Sequence, residues 1–127
     1  MYKIRTDIGD ITITHDVFTT LAGIAAASCF GVRGMAVRSV TDGLVHLLKR
    51  EAMGRGVKVS LLPAGQAGNT EDEKTKLQVE IHIIAKTGVN IPVICESIVS
   101  AVSYKLVRDT GLPVKNVDVF VDGIMVD

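Results

Sequence analysis

Tryptophan is absent, aromatic residues make up 4% of the 127, and 14 basic side chains are balanced by 14 acidic ones. So few aromatics leave little of the stacking platform that single-stranded nucleic acid needs. A neutral chain has no net field to draw in phosphate polymers or anionic lipid. Cysteine is scarce too. Cys29 and Cys95 lie far apart in apolar stretches, with no CxxC and no metal-ligand spacing. They are expected to be buried, reduced thiols of a cytoplasmic protein. No basic start followed by an apolar stretch marks a signal peptide. The longest apolar window, Leu21 to Val32, has 12 residues and contains Gly23 and Gly31. A membrane span needs about 20, so membrane association is expected to be indirect.

Motifs that carry chemistry are also lacking. The sequence contains no GxSxG, Walker-type loop, GxGxxG or HExxH. His15, His46 and His82 have no Cys, Asp or Glu at metal-ligand spacing. The expectation is a chain without catalytic, cofactor or metal residues.

What is present is apolar and patterned. Hydrophobic residues are 47% of the chain and the mean hydropathy is +0.35. That composition is rich for a single soluble domain of this length, so a large core or a covered surface is expected. Residues Ile8 to Ile13 read as a strand around a Gly9-Asp10 turn. Thr14 is placed to cap a helix running to about Phe30, with Asp16 in its first turn. Val17, Leu21, Ile24, Ala25 and Cys29 recur at helical spacing as the expected core stripe. Thr19, Thr20, Gly23, Ala26 and Ala27 form the opposite, small side. Gly31 reads as the helix-ending glycine.

A strand over residues 32–40 is followed by an expected short helix starting at Thr41-Asp42-Gly43, with Leu44, Leu47 and Leu48 on its apolar side. Residues 57–62 alternate as a strand. Residues 63–76, PAGQAGNTEDEKTK, lack apolar periodicity and read as a long mobile hairpin loop. Leu77 to Lys86 is the clearest strand, with Leu77, Val79, Ile81, Ile83 and Ala85 on one side. Asn90 and Pro92 start a helix to about Thr110, with Ile94, Ile98, Ala101, Val102 and Leu106 on its core face. Gly111 closes it. Residues 114–126 form the last strand, with Asp118, Phe120 and Asp122 pointing outward. The order β-α-β-(short α)-β-β-α-β fits an α+β fold: a mostly antiparallel sheet with two long helices packed on one face. One domain over 1–127 is expected.

Three groups of residues are candidates for binding. Lys49, Arg50, Arg55 and Lys58 form the densest basic group and could contact phosphate or an acidic partner. Ile84 and Phe120 are apolar on otherwise polar strand faces and mark a candidate interface. Gly31-Val32-Arg33-Gly34 matches GxxG, the backbone clamp of KH domains.

Several segments taken in order resemble one family. They are Gly9-Asp10-Ile11-Thr12-Ile13, Phe30-Gly31-Val32-Arg33-Gly34-Met35, Gly43-Leu44 to Leu48, Gly54-Arg55-Gly56-Val57-Lys58-Val59, Gly88-Val89-Asn90-Ile91-Pro92, Thr110-Gly111-Leu112 and Val117-Asp118-Val119. Together they resemble the alkaline shock proteins, or envelope stress response proteins, known mainly from Gram-positive bacteria. The match is closest to the short members, which end soon after the final strand without a charged tail. The resemblance implies a non-enzymatic, cytoplasmic protein-binding adaptor in the cell envelope stress response or in fatty-acid homeostasis. It implies a membrane anchor or a fatty-acid/dihydroxyacetone kinase-like protein as partner, homo-oligomerisation, and recruitment to the inner face of the membrane. A KH-like RNA-binding module and a small-molecule or lipid-binding protein are the alternatives.

Overall fold

Eleven residues that alternate in burial, Lys76–Lys86, form the centre of the sheet. The computed structural model describes residues 2–38, 45–47, 56–62 and 75–126. In chain order these form β1 (Tyr2–Thr6), β2 (Gly9–Ile13), α1 (His15–Ala27), β3 (Val32–Arg38), β4 (Val45–Leu47), β5 (Val57–Leu62), β6 (Lys76–Lys86), α2 (Ile91–Thr110) and β7 (Val114–Met125). Of the expected loop at 63–76, only the last two residues are described, Lys76 already within β6.

The class is α+β, as the sequence predicts. One edge of β6 is taken along its length by β7, which runs parallel. The opposite edge is shared end to end by two antiparallel strands. β5 pairs with residues 76–81, and β3 pairs with residues 83–85. β4 continues the sheet beyond β3. The expected short helix is therefore wrong over its centre: Val45–Leu47 is a strand. Ala36 faces Leu47 and Arg38 faces Val45, so the segment finds its backbone partners across a hairpin instead of within itself.

The inner side of β6 is apolar and buried. Leu77, Val79, Ile81 and Ile83 join Phe18, Ile94, Ile98, Val102 and Leu106 in one cluster between sheet and helices. In α2 the expected core face is found, except that Ala101 is only half-buried. The Asn90 side chain accepts the Val93 N–H at 3.3 Å and caps the helix. Gly111 ends it at φ 77°, donating its N–H to Val107, a conformation other residues rarely adopt.

In α1 the core face lies between the two expected sides: of the expected stripe, Ala25 is buried and Leu21 and Cys29 pack against the core. Phe18, Thr19, Ala22, Gly23, Ala25 and Ala26 are buried, whereas Val17 and Ile24 are 41% and 42% exposed. Small side chains let the helix backbone come close to α2 and the sheet, and the single ring of Phe18 fills the remaining space. The helix also ends earlier than expected, at Ala27. Thr14 occupies the N-cap position, but its side chain makes no capping bond. Gly31 has φ 86° and lies against Ile94; a Cβ there would clash with that side chain. It therefore serves the turn into β3, not the last turn of the helix.

The strand expected at Ile8 to Ile13 is found from Gly9, with no turn at Gly9-Asp10, and a further strand precedes it. Residues 2–13 form an antiparallel hairpin, with Thr6 paired to Gly9 and the turn at Asp7-Ile8.

Candidate functional site: the exposed margin of the sheet at β7

β7 has two sides, and each meets a different environment. Its partner β6 supplies Gln78, Glu80 and His82 on the outer side, in register with Asn116, Asp118 and Phe120. After the pair Ile83/Val121 the next pair is Ile84/Gly123, so Asp122 has no partner opposite it. This bulge lets the Asp122 carboxylate reach across to His82 Nδ1 at 2.7 Å. His82 Nε2 meets Glu80 Oε2 at 3.0 Å. Both ring nitrogens thus face carboxylates. Only the imidazolium, a donor at each nitrogen, satisfies the two together. The ring also stacks on Phe120, with centroids 4.8 Å apart and planes 12° from parallel. Partial burial lowers the histidine pKa, but hydrogen bonds to Glu80 and Asp122 and the charges of both outweigh it. The net shift is upward. Such a cluster holds a positive charge between two strands and ties β6 to β7 through side chains.

The inner side of β7 faces α2. Cys95, Glu96, Val99 and Ser100 of the helix and Val117, Asp118, Val119 and Phe120 of the strand line an open groove of about 760 Å³. A second depression continues along α2 past Val93, Ser97 and Ala101 to Tyr104. Tyr104 is exposed, with the Arg108 guanidinium 5.4 Å from its ring centre. Among the described strands β7 pairs only with β6, so its other edge carries unpaired backbone groups beside this groove. Both cysteines are half-buried, and burial pushes each thiol pKa up. Neutral thiols are poor nucleophiles. Among the described residues, no group of three or more His, Cys, Asp or Glu side chains could hold a metal ion. No described helix is long and apolar enough to cross a membrane.

The sequence candidates fall in different places. Phe120 is on this margin, 44% exposed. Ile84 is not available as open interface: it is 3% exposed, in register with Gly34 of β3 and Gly123 of β7. Lys58 is exposed on β5 and in register with Glu80. Lys49, Arg50 and Arg55 lie outside the described residues. The GxxG segment is not a clamp loop. Gly31 is packed on Ile94, and Gly34 sits inside β3. The trio Glu80, His82 and Asp122 escaped the sequence reading. Its one visible signal was that all three point outward from their strands; the cross-strand register that joins them was not legible.

The sequence profile of one family, described as cell envelope-related in function, matches residues 3–126. The chain belongs to the alkaline shock protein 23 family. It is 30% identical over 125 residues to the uncharacterized protein YloU of Bacillus subtilis (strain 168), spanning 98% of this chain and 95% of the relative. It is 31% identical over 125 residues to the uncharacterized protein Spy1614 of Streptococcus pyogenes serotype M6, with 98% and 94% covered. YqhY of Bacillus subtilis, also uncharacterized, is 27% identical over 122 residues, with 96% and 82% covered. No solved structure matches the chain significantly. These alkaline shock relatives come from Gram-positive bacteria, and the family's envelope-related role extends to this chain.

Proposed function

We propose that the chain is a non-enzymatic, protein-binding adaptor within its envelope-related role, and that the β7 margin is its binding surface. One observation carries this reading. Among the described residues, a 12-residue strand leaves an edge unpaired beside an apolar groove, with Phe120 exposed at the rim. An open edge offers main-chain hydrogen bonds to an extended segment, and the groove offers pockets for its alternate side chains. The partner would be a membrane anchor or a fatty-acid/dihydroxyacetone kinase-like protein. The adaptor would then act in the cytoplasm and reach the inner face of the membrane through that partner.

The test is affinity capture from the native host after mild crosslinking and nuclease treatment, comparing the wild type with Phe120→Asp. Retention of a kinase-like or anchor protein by the wild type, and its loss with the variant, is the expected result. Equal capture by both would remove β7 from the interface, and capture dominated by nuclease-sensitive RNA partners would replace the adaptor reading.

A further inference from the structure

The His82 ring is tied to its surroundings in three directions, and all three favour its charged form. Asp122 Oδ2 lies 2.7 Å from Nδ1, Glu80 Oε2 lies 3.0 Å from Nε2, and the Phe120 ring stacks against one face. Among the described residues, the next charged groups on the surrounding strands are four. Asp118 of β7 accepts from the Asn116 amide at 3.2 Å, and Lys58 of β5 is in register with Glu80. Lys86 lies further along β6, and Arg33 sits at the bulge of β3 between Val32 and Gly34.

A neutral imidazole has one N–H and one lone pair, so it can donate to only one of the two carboxylates. The other carboxylate would then face a lone pair. Burial decides which one stays. The Asp122 side chain is 12% exposed and that of Glu80 is 40% exposed. An unpaired Asp122 is the costlier of the two, because water reaches it less. Loss of the proton therefore keeps the bond from Nδ1–H to Asp122 and releases Glu80. It also removes the positive charge from the ring that stacks on Phe120, which weakens the attraction to that aromatic face. Phe120 lines the groove between β7 and α2, together with Asp118. Glu80 is in register with Asp118, so its release leaves unbalanced negative charge beside the same rim.

We propose that the proton on His82 regulates the β7 surface: the charged ring fixes Phe120 at the groove rim in the binding-competent position, and its loss frees the rim and weakens partner binding. The inference rests on the reading of the β7 margin as the protein-binding surface and names its regulation. Partial burial opposes the charged ring, but the bonds to Glu80 and Asp122 raise its pKa above the ordinary 6.5. Binding is then full below that value and declines as pH rises through the higher folded value. By linkage, a bound partner raises the His82 pKa further.

The experiment is an NMR titration from about pH 6 to about pH 9, starting below the ordinary histidine value. It follows the His82 ring, the Phe120 ring and the Gly123 amide in the wild type, His82→Gln and Glu80→Gln, with circular dichroism as the check that each is folded. In the wild type, Phe120 and Gly123 are expected to shift with the midpoint of His82. In His82→Gln that step is expected to vanish. Glu80→Gln separates regulation from mere support. Its amide N–H can donate to the lone pair of a neutral ring, so both bonds survive deprotonation and Phe120 is expected to stay in place throughout. The same proteins then capture the host partner whose retention depends on Phe120, with washes at the two ends of the pH range. Retention by the wild type is expected to fall about fivefold or more at the high end, and retention by Glu80→Gln to hold. The inference is overturned by a Phe120 ring that does not follow His82, a step that persists in His82→Gln, or a Glu80→Gln protein that shifts as the wild type does. Capture that is lost with Phe120→Asp but indifferent to pH overturns this inference alone. Capture that ignores Phe120→Asp, while the ring still follows His82, overturns the adaptor reading and leaves the coupling of ring and rim.

Discussion

The two faces of the strand pair β6–β7 are built on different physics. Inward, Leu77, Val79, Ile81 and Ile83 are at most 1% exposed and meet Ile98, Val102 and Leu106 of α2. That face is held by area removed from water, which is roughly additive and indifferent to pH. Outward, Glu80, His82, Asp122 and Phe120 depend on particular distances and on one proton. The inner face tolerates a change of apolar shape at a graded cost. The outer face changes character when a single group titrates.

The strongest way to break the contrast is to hollow the inner side. Phe18→Ala is expected to lower stability by about 3–5 kcal/mol, since the ring is fully buried in the core cluster. Chemical denaturation measures it. Ile24→Ala on the same helix is expected to stay within about 0.5 kcal/mol of wild type. If the two costs were equal, the assignment of the small-residue side of α1 to the core would be wrong. Ile98→Ala in α2 is expected to cost about 2–5 kcal/mol by the same measurement. Next in size, Asn90→Ala removes the capping acceptor of α2 and is expected to cost about 1 kcal/mol.

The smallest expected effect sharpens the outer face. Because the His82 pKa is raised, its contribution to stability is fully present below the ordinary histidine value of 6.5. It is lost as pH rises through the higher folded value. NMR titration of the ring should give a pKa above 6.5, and Glu80→Gln or Asp122→Asn should each lower it. A ring titrating at or below the ordinary value would show that the two carboxylates do not hold the proton.

Alternation made β6 and β7 readable, because a sheet with one buried face needs period-two patterning. Asn90, Pro92 and Gly111 marked the ends of α2, because cap chemistry is local. The core face of α1, which lies between the two expected sides, was not readable in the same way. Both sides of that helix carry apolar residues, and the choice between them depends on how closely α2 and the sheet approach. β4 was missed for a related reason: a three-residue strand is defined by its partner β3, and Leu44, Leu47 and Leu48 fit helical spacing equally well. Of the candidate site, Phe120 was found as an outward apolar residue, and Ile84 was placed on the correct face but not recognised as buried.

Local chemistry thus determined the α+β class, the two longest strands, the extent of α2 and, through ordered segments, the family. Tertiary structure alone decided three things: which side of α1 is core, how β3 and β5 share one edge of β6, and that a bulge at Asp122 joins His82 to two carboxylates. Each depends on register or approach distance between segments far apart in the chain, and the periodicity of one segment carries no information about its distance from another.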